Sequence, residues 1–186
     1  MHFDRHGNLE GGIIQSNITD LKENLVDLFS TSTTRNRNFN SFLELISFIK
    51  SEGLLEGVSC IWVDGSFCTT KVDPNDIDLI ILLKPYNKNA IIIDQNQELI
   101  REMFLDKYLD IYMTYDSKLL RDRAYIEKVV QDLILDNSEY NEEEIKKKVV
   151  NSCDKIDYQM KYWMGQFGFD RNQRSKGLIS IEGGSL

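Results

Sequence analysis

Two short apolar runs constrain this chain more than any other feature. Val58 to Val63 lies between Gly57 and Gly65, and Ile77 to Leu83 is closed by Pro85. Both are short and rich in β-branched residues, so both are expected as buried strands. Helical patterns surround them. Ser41 with Glu44 three residues on makes a capping box, and Phe42, Leu45, Ile46 and Ile49 then share one face until Gly53. Leu99, Met103 and Phe104 place a helix over Glu98 to Asp106, and Tyr108 to Thr114 follows as a third strand. The resulting order is helix, strand, short link, strand, helix, strand.

Outside this centre the pattern is helical or turn-rich. Thr19 is placed as the N-cap of an early helix, with Leu21, Leu25 and Leu28 at helical spacing and Asp20 and Glu23 at its positive end. The polar stretch from Ser30 to Asn40 reads as a loop. One helix is expected near Lys118 to Leu135 and another from Glu142 to about Gly165, striped by Ile145, Val149, Cys153, Ile156, Met160 and Trp163. Glutamates 142 to 144 each precede a lysine by four residues, which reads as a solvated face of i, i+4 pairs.

With 186 residues the chain is expected to form a single domain, residues 1–186, with 41% hydrophobic residues to fill a core. A formal charge of -8 disfavours any long nucleic acid duplex as a partner, because such binding draws on clustered Lys and Arg. A small triphosphate is compatible, since metal ions rather than basic side chains can neutralise it. The three cysteines, Cys60, Cys68 and Cys153, have no spacing of a disulfide framework or zinc site. Neither a signal peptide nor a membrane span is expected, and a reducing cytosol fits.

The chemistry is concentrated between Trp62 and Leu83. Asp76 and Asp78 are two apart, so on a strand both carboxylates project from one face, at the start of a run otherwise made of Ile and Leu. Two such charges repel, and a hard divalent cation between them would relieve that repulsion. The alternative is a polar strand end, with Asp76 capping the Pro74-Asn75 turn and Asp78 meeting solvent or a lysine. Gly65-Ser66 directly follows the first strand, where glycine admits a close phosphate and the next amides and hydroxyl can hold it. A plain turn is the alternative there. Asp110 is a charge inside the third strand, read either as a further metal ligand or as the exposed face of an edge strand.

Gly-Ser, then Asp-x-Asp preceded by Pro-Asn, then a separate Asp on a later strand, resembles the minimal nucleotidyltransferases of the DNA polymerase beta superfamily. The motif match covers about residues 57 to 114, and the nine residues between Ser66 and Asp76 are its most specific element. The resemblance implies an α/β (α+β) fold: a nucleotidyltransferase-like core with a small mixed sheet flanked by helices over residues 13–115. C-terminal helices over 116–166 and a terminal hairpin or tail over 167–186 would complete it. It also implies Mg²⁺ or Mn²⁺ held by the carboxylates, and transfer of a nucleoside monophosphate from a nucleoside triphosphate to an acceptor in protein, RNA or a nucleotide. Carried over, Gly65 and Ser66 match the phosphate-binding pair, Asp76 and Asp78 the metal-binding carboxylates, and Asp110 the third carboxylate and base.

The ending Tyr162-Trp163, Phe167-Gly168-Phe169-Asp170-Arg171 and Lys176-Gly177-Leu178 is similar to that of small bacterial proteins with such a core, some of them encoded in toxin-antitoxin or phage-defence operons. A non-catalytic binding module, acting as antitoxin, sensor or partner subunit, is the alternative function. Finally, Phe3-Asp4-Arg5 with Gly11 and Ile13 recurs at the same offsets as Phe169-Asp170-Arg171 with Gly177 and Ile179. If this is more than chance, the two segments are hairpins that bring the ends of the chain together.

Overall fold

Strands β2 (Val58–Asp64) and β3 (Ile77–Leu83) pair antiparallel at the heart of a mixed five-stranded sheet. In this computed structural model, which describes residues 1–136 and 141–186, β4 (Leu109–Tyr115) runs parallel to β3 at one edge. At the other side β5 (Leu178–Glu182) lies antiparallel to β2, and β1 (Ile13–Ser16) closes the sheet parallel to β5. The sheet order is β1-β5-β2-β3-β4, and with helices on its faces the fold is α+β.

Both faces of the central strands are covered, which is why, apart from Ser59, Asp64 and Asp78, they read as apolar runs rather than as alternation. Ile61, Val63, Leu79 and Ile81 join a core with Phe42, Leu45 and Ile49 of α2 (Arg35–Ser51). The same core takes in Ala90 and Ile93 of α3 (Lys88–Gln95) and Ile100 and Phe104 of α4 (Gln97–Leu105). On the opposite face Cys60, Trp62, Ile80 and Leu82 meet Met160 and Phe167 of the long helix α6 (Glu142–Phe167). A third cluster joins α5 (Arg123–Asp136) to α6 through Val129, Val130, Ile145 and Val149. The exposed Glu142–Lys146 pair lies on the solvated face expected of the charged run.

Several boundaries differ from the sequence expectation. Helix α1 (Ile18–Leu25) is capped by Asn17 rather than Thr19, and Leu28 is exposed in a short 3-10 turn after it. Helix α2 starts at Arg35, so half of the stretch read as a loop is helical and Ser41 lies inside the helix. Its beginning is held from outside: Ser32 Oγ accepts the N–H groups of Thr34 and Arg35, and Asp73 accepts from Thr33 N–H at 2.7 Å. Helix α3 has no counterpart in the sequence reading, and α5 starts at Arg123, after a 3-10 turn at Leu119–Arg121.

Segment 167–186, expected as a terminal hairpin or tail, does hold a hairpin bridge between Phe169 and Ser175 but continues into β5, inside the sheet. The repeat of Phe-Asp-Arg is structural. Asp4 Oδ1 accepts the N–H groups of His6 and Asn8, and Asp170 Oδ1 those of Asn172 and Arg174, all at 2.8 or 2.9 Å. Gly7 and Gln173 occupy the same place in each loop, and both have positive φ, 82° and 60°. The loops join through Asn8 Nδ2 to Asp170 Oδ2 at 3.0 Å, and the N–H of Gly177 donates to the Leu9 carbonyl.

Candidate active site

The register of the sheet lines up three carboxylates. Asp64, Asp78 and Asp110 are paired residues on β2, β3 and β4, at the strand ends nearest the C-terminus of β2. The next row inward is Trp62, Ile80 and Tyr112, and the one after it Cys60, Leu82 and Thr114. Because side chains alternate along each strand, the acidic row lies on the face that α6 covers. Asp76 precedes β3 by one residue, and it joins Asp64, Asp78, Asp110, Gly65 and Ser66 in one cleft of about 770 Å³. All five residues expected from the sequence are therefore brought together.

Gly65 shows why glycine follows β2. Its φ is +74°, and a Cβ there would lie 1.7 Å from Asp78 Oδ2, so the carboxylate occupies the space a side chain would need. The loop after it is pinned by α2. Arg35, fully buried, donates to the carbonyls of Phe67, Thr69 and Lys71 at 2.7 to 2.8 Å and also to that of Leu25. Its guanidinium lies 3.8 Å from the ring centroid of Phe29, and burial lowers its pKa to about 10. Asn38 Nδ2 donates to the Pro74 carbonyl and Arg37 to that of Asn75, which sets the turn leading to Asp76. Behind the same loop, Thr70 N–H donates to the Gly7 carbonyl, so the N-terminal hairpin supports it from the other side.

Two residues at the floor were not singled out from the sequence. Asp64 and Lys176 form a buried ion pair at 3.0 Å, and Lys176 Nζ also approaches the Gly65 carbonyl at 3.5 Å. Burial outweighs the attraction of Lys176 and pushes Asp64 up to about 7. The one signal in the sequence was position: Asp64 closes the apolar run directly before Gly65. In the sequence Lys176 stands only as part of the Lys176-Gly177-Leu178 ending, and nothing local ties it to the site, since its partner lies on a strand more than a hundred residues away.

The site is short of positive charge. Burial first, then the neighbouring Asp76 and Asp110, raise the Asp78 carboxyl, and Lys176 only partly counters them. Asp64 Oδ1 is buried with no hydrogen-bond partner among the described residues. No group of three or more His, Cys, Asp or Glu side chains among the described residues is arranged to hold a metal ion by itself. Mg²⁺ does not require such a cage, because it commonly takes one or two carboxylates and completes its shell with water and substrate phosphate. The donor set, all carboxylate oxygens under mutual repulsion, fits a hard divalent cation of that kind.

One wall of the cleft is aromatic. Tyr112 donates to Asp110 Oδ2 at 2.8 Å, and burial together with that carboxylate raises its phenol to about 12. Its ring packs against Trp163 of α6, tilted by 42° with centroids 4.4 Å apart. Tyr108 instead lies under the Arg37 guanidinium, at 3.4 Å. Lys71 lines the cleft, and Arg101 lies over the Tyr112 ring.

No helix among the described residues is long and apolar enough to cross a membrane, and Cys60, Cys68 and Cys153 are free thiols. No curated protein and no solved structure matches the chain. The family described as one of unknown function, DUF6932, matches residues 1–182, and the chain belongs to that family.

Proposed function

We propose that this cleft is the active site of a metal-dependent nucleotidyltransferase that moves a nucleoside monophosphate from a nucleoside triphosphate to an acceptor in protein, RNA or a nucleotide, in the cytosol. The observation that carries the reading is the gathering of Asp76, Asp78 and Asp110 in one cleft with Gly65-Ser66, a glycine turn beside carboxylates able to serve as metal donors. Asp76, Asp78 and Asp110 would hold Mg²⁺ or Mn²⁺, which when bound neutralises phosphate charge and polarises the phosphorus–oxygen bonds. Ser66 and the amides after it hold the β- and γ-phosphates, and Lys176 brings a fixed positive charge to the same end.

In the transfer, the acceptor oxygen forms a bond to the α-phosphorus while the bond to the α,β-bridging oxygen breaks. That bridging oxygen keeps the electron pair and leaves as pyrophosphate. The acceptor proton passes to Asp110, whose Oδ2 is already oriented by the Tyr112 hydroxyl. Most of the rate gain comes from alignment and charge stabilisation, as is general for phosphoryl chemistry.

One observation favours a second reading. Lys176 already neutralises Asp64 without metal, as would suit a module that only binds nucleotide or a partner protein. The two readings separate when the full chain is incubated with each radiolabelled nucleoside triphosphate in Mg²⁺ or Mn²⁺, beside the Asp76→Ala, Asp78→Ala double variant. Metal-dependent pyrophosphate release that vanishes in the variant is expected of the transferase. Nucleotide stabilisation without release would favour the binding module, and neither effect would refute both.

A further inference from the structure

The acidic row accounts for part of the cleft's lining and leaves the α6 side of it unexplained. There, Tyr162 and Gln166 stand one helical turn apart on α6, and Phe169 follows just after the helix ends. Tyr162 and Phe169 are 52% and 51% exposed, although Trp163 and Phe167 beside them are drawn inward against Tyr112. Large aromatic rings left open on the wall of a polar cleft are a signature of a binding surface rather than of a core. With a divalent cation on the carboxylates, a ligand that matches the whole lining is a polyanion on one side and a flat ring on the other.

We infer that Tyr162 and Phe169, with the Gln166 carboxamide between them in sequence, form the nucleobase subsite of this cleft. The inference rests on the transferase or nucleotide-binding reading above. The cleft volume of about 770 Å³ is that of a site for a whole small-molecule ligand rather than a lone phosphate. Stacking on Tyr162 or Phe169 tolerates any base because every base has a π-face, while the Gln166 carboxamide, both donor and acceptor, can read a base edge.

The subsite is wired to the chemistry. Tyr162 meets Trp163 edge-on with centroids 5.3 Å apart, Trp163 packs at a tilt against Tyr112, and the Tyr112 hydroxyl donates to Asp110. A base seated on Tyr162 therefore bears on a continuous line of contacts ending at the carboxylate that receives the acceptor proton. Tripolyphosphate, which has the anionic end alone, would reach the acidic row without engaging that line.

The test compares binding of each nucleoside triphosphate and of tripolyphosphate, with Mg²⁺, to the full chain by titration calorimetry. Tyr162→Ala and Phe169→Ala are each expected to weaken nucleoside triphosphate binding by about tenfold, the loss of one base stack, and to leave tripolyphosphate binding unchanged. Gln166→Ala is expected to narrow the difference in affinity among the four bases. Tyr158→Ala, which removes a 74% exposed ring from the same helix outside the cleft, is expected to change nothing. Unchanged nucleotide affinity in both aromatic variants would overturn the subsite and leave the triphosphate reading standing. Equal weakening of both ligands would also overturn it, placing the effect at the phosphates or the fold. If neither ligand binds the unaltered chain, the triphosphate reading fails and the subsite with it.

Discussion

Gly65 is the residue on which the site depends most directly. Its positive φ and the contact of any Cβ with Asp78 mean that Gly65→Ala must both strain the turn and push the carboxylate aside. The backbone strain alone costs about 1–2 kcal/mol, and a displacement on the order of 1 Å at a reacting group can lower turnover about 100-fold. We expect Gly65→Ala to fold with a modest fall in Tm and to lose metal-dependent activity. Full activity in that variant would show that Asp78 does not need its present position. The buried Asp64–Lys176 pair makes a different prediction. Lys176→Met leaves a buried carboxylate without its cation, which typically costs about 3–5 kcal/mol. Adding Asp64→Asn should recover much of that loss, because an uncharged pair has no ion to strand. Denaturant melts of the two single variants and the double variant measure this coupling, and strictly additive losses would mean that the pair contributes nothing as a pair.

At the scale of elements, the hairpins near the two ends are built alike and should fail alike in acid. Asn8, by side chain to Asp170 and by backbone to Asp4, is the largest influence holding each carboxyl below its ordinary value of 3.8. A carboxyl lowered in the folded state contributes stability above its unfolded pKa and loses it as pH falls through the folded value. Both hairpins are thus expected to hold at neutral pH and to loosen below about pH 4. Hydrogen exchange of the amides of His6, Asn8, Asn172 and Arg174, corrected for intrinsic rate, should rise there before that of the central strands. Protection of these four amides that persists unchanged to pH 3 would contradict the role given to Asp4 and Asp170. The same scale explains α2. Its apolar face was legible from Phe42 to Ile49, but Arg35, Arg37 and Asn38 looked like loop residues because each also reaches carbonyls of the distant 67–75 segment, which no local pattern announces.

For the whole molecule, the decisive fact is that the last strand lies inside the sheet. β5 is bonded to β1 on one side and β2 on the other, so a chain ending at Gly177 would leave two strands with open edges. It would also lose Leu178, Ile179 and Ile181 from the core, each worth ~1.5–3 kcal/mol, against a typical total stability of ~5–15 kcal/mol. Such a chain is expected to lack a cooperative thermal transition, although residues 13–115 remain intact. Deletion of Met1 to Gly12 attacks the same junction from the other end, by removing Leu9 and the carbonyls that bind Gly177 and Leu178, and should make 167–186 sensitive to protease. A truncated chain that melts as sharply as the full one would show that β5 is dispensable.

The sequence by itself determined the local units. Contiguous apolar residues reveal a buried strand, a period near 3.6 reveals a helix face, and a carboxylate pair two residues apart at a strand start reveals convergence. That is why β2, β3, β4, the stripe of α6 and the group Gly65, Ser66, Asp76 and Asp78 could be read from residues close together in the chain, whereas Asp110 followed from the order of the strands and from the resemblance. Only the tertiary structure decided which strands are neighbours, that β5 completes the sheet, and that Asp64 and Lys176 meet at the cleft floor. Those facts rest on contacts between residues far apart in sequence, the Lys176 approach to Gly65 spanning 111 positions. Strand pairing at such a distance follows from the burial of the whole sheet, and no local pattern encodes it.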